Sequence, residues 1–269
     1  MRIGIVQTSP TFGERDRNVE EALRLLNGDH ADLWVLPELF ASGYQFADIG
    51  EARELAEPVP AGFTTQALVR HAAEKGCHIV AGLAEREGNR LYNSAVLVGP
   101  SGLRACYRKV HLFYREKLLF TPGNRSFPVV DIGIARIGLM ICFDHLFPES
   151  ARSLALQGAD LIAHPANLVL PDLAQHTMAV RALENGVFTA TANRIGTESR
   201  TDETLCYTGQ SQIVGPDGVI LHRMPSDAVG HFVIDIDVER ARDKQITDHN
   251  DKLVDRRPDQ YRLEPQGGS

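Results

Sequence analysis

The sequence predicts an α/β protein built in four layers, α-β-β-α. Three features of its 269 residues carry this expectation. Short β-like runs alternate with amphipathic stretches, two hairpins turning at "GPSG" and "GPDG" fall at matching places in the two halves, and no linker divides the chain. The matched hairpins suggest a duplicated unit, one sheet with two helices on its outer face. Two such units bury their inner faces against each other, so residues 1–269 are expected to form one domain with a charged tail from about 239.

Taken in order, "RIGIVQ" reads as a buried strand. "RNVEEALRLLNG" follows as a helix with Val19, Ala22, Leu23 and Leu26 on one face and Gly28 as its stop. "DLWVLPE" is a strand ending at Glu38. "TTQALVRHAAEKG" is a helix capped by a threonine and closed by Gly76. The strand "HIVAGLA" leads to the hairpin "YNSAVLVGPSGLRACYRK", which ends at Lys109. The second half repeats the plan with the strand "ARIGLMIC", the helix "PESARSLALQG" stopped by Gly158, and the strand "DLIAHPA". A helix through "LAQHTMAVRALENG", the strand "VFTATANR" and the hairpin "GQSQIVGPDGVILHR" complete it. The tail from Glu239 onward has too little apolar surface to fold alone; it is expected to lie along the body or a partner subunit, with the final "GGS" disordered.

Lys and Arg number 28 against 35 Asp and Glu, a net charge of −7, which argues against a surface built for nucleic acid or anionic lipid. "MRIGIVQTSP" turns polar too soon for a signal peptide, and no apolar run reaches membrane-spanning length, so a cytoplasmic protein is expected. Cys77, Cys106, Cys142 and Cys206 are scattered without CxxC spacing, which indicates neither a zinc site nor a disulfide framework.

Glu38, Lys109 and Cys142 each end a strand-like run, where α/β sheets gather ligands. A thiol needs a neighbouring base or cation to act as a nucleophile. Glu38, desolvated behind "LWVLP", is a candidate base. Lys109 would favour the thiolate and hold the charge of a tetrahedral intermediate, with the Phe143 N–H as second donor. This trio suits acyl transfer from an amide or nitrile. A Cys-His hydrolase using His111, His145 or His164 is the rival reading, with His145 and His164 otherwise in the pocket wall or packing.

"LPELF", "YRKVHLFYREKLLFTPG" and "GLMICFDHLFPES", with "LYNSAVLVGPSG", "GADLIAHPANL", "RALENGVFTATANR" and "GQSQIVGPDG", together resemble the nitrilase superfamily of carbon-nitrogen hydrolases over nearly the whole chain. The resemblance implies the α-β-β-α sandwich, a Glu38-Lys109-Cys142 triad, and Glu116 as a second glutamate that positions lysine and substrate. It also implies no metal or organic cofactor, and a homodimer through the helices after the cysteine strand and after "HPANL". The "CFD" at Cys142 resembles amidase-like branches, and Asp144 reads as a cap for the helix that follows.

The expected substrates are small primary amides, with small nitriles second. An omega-amidase, an N-carbamoyl hydrolase and a partner-dependent glutaminase-type subunit are further alternatives. Tyr44, Phe113, Tyr114, Phe143, His145 and Asn167 are the expected substrate-binding residues, and Phe40 is a further aromatic beside the motifs. Arg115 or Arg194 would hold a distal carboxylate if the substrate had one, Arg194 being equally suited to a structural ion pair.

Overall fold

A computed structural model describes residues 1–264; the "GGS" expected to be disordered lies outside the described residues. The first half runs β1 (Arg2–Gln7), α1 (Arg15–Leu26), β2 (Leu33–Val35), α2 (Ile49–Leu55), α3 (Phe63–Lys75), β3 (His78–Glu87), β4 (Arg90–Gly99) and β5 (Gly102–Arg108). After α4 (Glu116–Leu119) come β6 (Val129–Asp131), β7 (Arg136–Leu139), α5 (Pro148–Leu156), β8 (Leu161–Pro165), α6 (Leu173–Asn185) and β9 (Phe188–Ala192). A small hairpin, β10 (Ile195–Glu198) and β11 (Leu205–Thr208), precedes β12 (Gln212–Val214), β13 (Ile220–Arg223) and β14 (Gly230–Asp235).

Two six-stranded sheets result, ordered β14-β1-β2-β3-β4-β5 and β13-β12-β9-β8-β7-β6. Read from the β6 edge, the second sheet repeats the first strand for strand: antiparallel, parallel, parallel, antiparallel, antiparallel. The duplication suggested by the matched hairpins is therefore present in the topology. One exchange departs from it: β14, from the far end of the chain, supplies the edge strand of the first sheet by pairing with β1 from Arg2↔Asp235 to Gln7↔Gly230.

Alternation along the strands builds the layers. Ile3, Ile5 and Val35 meet Ile137, Leu139 and Leu161 between the sheets. The opposite faces pack on helices: Val6, Trp34 and Ile79 on Val19, Ala22 and Leu68 of α1 and α3, and Met140 and Ile162 on Ala151, Leu154 and Met178 of α5 and α6. Gly4 is required here, because a Cβ would stand 2.3 Å from the Trp34 ring.

Several local expectations are corrected. Helix α1 is closed by Asn27 in the right-handed region, and Gly28 instead makes room for the His231 ring, 2.5 Å from where its Cβ would be. Helix α3 starts behind Gly62 rather than a threonine, and the Glu57 carboxylate accepts the Thr64 N–H at 3.1 Å. Gly76 closes α3 in the left-handed region, as expected, and Gly186 closes α6 in the same way. The tail forms α7 (Glu239–Arg242) and lies along the body: Lys244 Nζ donates to the Asn185 and Gly186 carbonyls at 3.1 and 2.6 Å, and Lys252 Nζ to Leu183 O at 2.8 Å. Among the described residues no helix is long and apolar enough to cross a membrane.

Gly4→Ala is expected to lower the unfolding free energy by about 1–3 kcal/mol, the usual cost of overpacking, which exceeds the few tenths to 1 kcal/mol gained from a stiffer unfolded chain. An unchanged urea midpoint would show that the Trp34 contact is not tight.

Candidate active site

Both Glu38 and Cys142 stand three residues past their strands, β2 and β7, rather than at the strand ends, and Lys109 immediately follows β5. Lys109 Nζ donates to Glu38 Oε1 at 2.7 Å and to Glu116 Oε1 at 2.8 Å, and all three side chains are buried. Asn93 Nδ2 donates to the same Glu38 oxygen at 2.6 Å, and Tyr44 OH to Glu116 Oε1 at 2.8 Å. Glu116 Oε2 accepts the Phe113 N–H at 3.0 Å. Glu38 Oε2 has no partner among the described residues.

The chain is bent tightly to reach this arrangement. Leu39, Tyr114 and Cys142 have φ of 47°, 48° and 41°, a region non-glycine residues seldom occupy. The Glu38 turn lies directly on Gly82 of β3, where a Cβ would be 2.5 Å from Glu38 Cα. Asp144 holds the Cys142 turn: Oδ2 accepts the Ile141 N–H at 2.9 Å and Tyr107 OH at 2.8 Å, and Oδ1 accepts the His111 N–H at 3.2 Å and stands 2.8 Å from His111 Nδ1. The expectation that Asp144 caps α5 is thus corrected. That helix starts with Pro148 and has no side-chain cap.

Burial, reinforced by Glu38, pushes the Cys142 thiol well above its ordinary range, and the opposing pull of Lys109 is weaker. Lys109 pulls the thiol down, as a neighbouring cation does, but burial and the Glu38 carboxylate outweigh it. Burial would lower Lys109, yet Glu116 and Glu38 together raise it, so it stays charged. Glu116 is raised by burial and by Glu38 against the pull of Lys109.

The histidines lie outside this cluster. His164 Nε2 is 2.9 Å from the Cys142 carbonyl and Nδ1 is 3.0 Å from Thr191 Oγ1, so both nitrogens serve the packing under the turn. His111 is engaged by Asp144 and stacks on Phe147 at 3.7 Å. His145 is buried, its Nδ1 without a partner, and burial lowers it to about 3. The recorded polar contact of the sulfur is Asn167 O at 3.9 Å.

A small pocket opens at Cys142, lined by Phe113, Phe143, His145, Asn167 and Leu168 to Leu170 among others. A second, lined by Tyr44, Tyr114, Arg115, Glu116 and Glu203 among others, does not include Cys142. Arg194 is bound to Glu198 and stacked on Tyr207, which makes it the structural ion pair rather than a substrate cation. Phe40 belongs to the packing of the helical face. Two contributors escaped the sequence reading. Asn93 carried a weak signal, an amide inside the apolar run "LYNSAVLV". Glu198, which accepts the Tyr44 and Gln45 N–H groups at 3.2 and 2.7 Å, carried none. Among the described residues no cluster of metal-binding side chains occurs.

The family model for carbon-nitrogen hydrolases matches residues 2–245. A Pyrococcus abyssi protein named as a nitrilase is 47% identical over 97% of this chain and 99% of its own length. An (R)-stereoselective amidase of a Pseudomonas species is 35% identical over 96% of this chain and 92% of its own. The solved amidase of Nesterenkonia sp. AN1, a glutamate-to-glutamine mutant with acrylamide added to its active-site cysteine, superposes with a TM-score of 0.75 at 27% identity, covering 91% of this chain and 96% of that one.

His145 gives a pH test independent of substrate. Its ordinary value is 6.5 and its folded value about 3, so the unfolded chain takes up a proton that the native chain refuses. The stability this contributes is present above pH 6.5 and is lost as pH falls toward 3. Between pH 7 and pH 5 the wild type should therefore lose about 2 kcal/mol more unfolding free energy than His145→Gln. Equal losses would mean that the imidazole is hydrated in the native state.

Proposed function

Since this chain belongs to the carbon-nitrogen hydrolase family and is an enzyme of that chemistry, we propose that it hydrolyses small primary amides to carboxylic acid and ammonia through a thioester on Cys142. Cys142 Sγ attacks the amide carbon while its proton passes to Glu38. The unpartnered Oε2 of Glu38 is the observation that carries this role, since the other oxygen is already held by Lys109 and Asn93. A thiol raised by burial is a poor nucleophile until its proton is taken, so transfer accompanies attack rather than preceding it.

The oxygen that gains charge is held by Lys109 Nζ and the Phe143 N–H. Glu38 then gives its proton to the departing ammonia, and a water activated by the same carboxylate hydrolyses the thioester. Glu116 positions Lys109. Phe113, His145 and Asn167, which line the pocket at Cys142, complete the substrate surroundings, whereas Tyr44 and Tyr114 line the second pocket. Nitriles are the second reading, supported by the likeness to the Pyrococcus abyssi protein; the amide reading is supported by the likeness to the two amidases.

One catalytic domain per chain, paired as a homodimer across the outer face of α5 and α6, accounts for the exposed Leu156, Val180 and Leu183 there. Glu38→Gln keeps the shape of the carboxylate and removes its basicity. It is expected to slow acyl-enzyme formation about 10³-fold, within the usual range for general acid-base catalysis, as followed by intact mass with an amide substrate and Cys142→Ala as control. Full turnover by Glu38→Gln would transfer the role to another base.

A further inference from the structure

The pocket at Cys142 has a largely apolar lining. Leu168, Val169, Leu170 and Leu173, with Phe113 and Phe143, make its walls, and no Lys, Arg, Asp or Glu side chain is among the lining residues. Two polar side chains interrupt the apolar surface, Asn167 and His145, which are 3% and 4% exposed. Among the described residues, neither the Asn167 amide oxygen, nor its nitrogen, nor His145 Nδ1 has a hydrogen-bond partner. Buried polar groups are nearly always paired, so three orphaned atoms in one pocket point to a ligand that supplies the partners.

The Asn167 backbone carbonyl faces the sulfur at 3.9 Å, so this residue, which also lines the pocket, stands next to the nucleophile. Resting on the reading of Cys142 as acyl acceptor, we propose that the pocket selects an uncharged acyl group with an apolar body and one hydrogen-bonding heteroatom next to the carbonyl, and rejects acyl groups that end in a carboxylate or an ammonium.

A charged end would lose its hydration against Leu168 and Leu170 with no opposite charge to meet it. His145 cannot serve as that charge, because burial keeps it neutral at pH 7. Arg115 and Glu203 line the other pocket, which does not include Cys142. A hydroxyl or ether oxygen beside the carbonyl suits Asn167, which both donates and accepts, and an acyl group lacking it leaves those atoms unpaired.

Four compounds of similar size test this on the full chain, each as amide and as nitrile: the isobutyric, lactic, succinamic and 4-aminobutyric series. Ammonia release is measured together with the mass of Cys142 adducts. Lactamide or lactonitrile is expected to exceed its isobutyric counterpart in kcat/KM by about tenfold, the value of a hydrogen bond otherwise left unmade. Both should exceed the carboxylate and ammonium compounds by about a hundredfold or more. Leu173→Arg, at the partly exposed rim, is expected to raise the succinamic-to-isobutyric ratio at least about tenfold. The proposal is overturned if Cys142 is acylated but the charged compounds react as well as the isobutyric ones, or if lactic compounds show no advantage. No adduct and no ammonia from any of the eight would instead overturn the acyl-enzyme reading on which it rests.

Discussion

Two buried carboxylates sharing one buried ammonium is the interaction on which the rest of this structure depends. Glu38, Lys109 and Glu116 come from three segments, the turn after β2, the end of β5 and the start of α4, and each is unaffordable alone in that interior. Removing one member of such a cluster typically costs about 3–5 kcal/mol, because the remaining charge is stranded. The surrounding hydrogen bonds from Asn93, Tyr44 and the Phe113 N–H are therefore part of the same constraint: they satisfy lone pairs that water would otherwise occupy. One carboxylate oxygen, Glu38 Oε2, is left over, and the proposed chemistry is assigned to it.

The strained turns follow from that constraint. A positive φ at a non-glycine residue costs about 1–3 kcal/mol and persists only where its surroundings enforce it. At Cys142 the enforcement is visible in Asp144, which ties the Ile141 N–H, Tyr107 and His111 to one carboxylate, and in His164 below the Cys142 carbonyl. At Leu39 it is the close seat of the Glu38 turn on Gly82. The hairpin β10–β11 adds a third brace, since Glu198 receives two backbone N–H groups from the segment that carries Tyr44. Rigid support of this kind fixes the direction of a side chain without touching the reacting atoms.

Much of this was legible in the sequence because the signals were periodic. Apolar runs and turn residues located most strands of both sheets, both long hairpins and the main helices, and the ends of three runs located Glu38, Lys109 and Cys142. What the sequence hid depends on contacts distant along the chain. β14, "GHFVID", is an ordinary alternating stretch whose place is decided by pairing with β1 more than two hundred residues earlier. β6 and the β10–β11 hairpin are too short for their pattern to stand out. The role of Asp144 was misplaced for a related reason: proximity in sequence suggested the helix ahead of it, while Tyr107 and His111, some thirty-five residues back, lie within its reach.

In the proposed chemistry the resting thiol keeps its proton until substrate is attacked. The direct measurement is the ultraviolet thiolate band of Cys142, titrated as the difference between the wild type and Cys142→Ala. Burial and Glu38 predict no band at neutral pH and ionisation only above the ordinary thiol range. A thiolate already present at neutral pH, stabilised by Lys109, would contradict the central claim that burial and Glu38 outweigh that ammonium's pull on the sulfur.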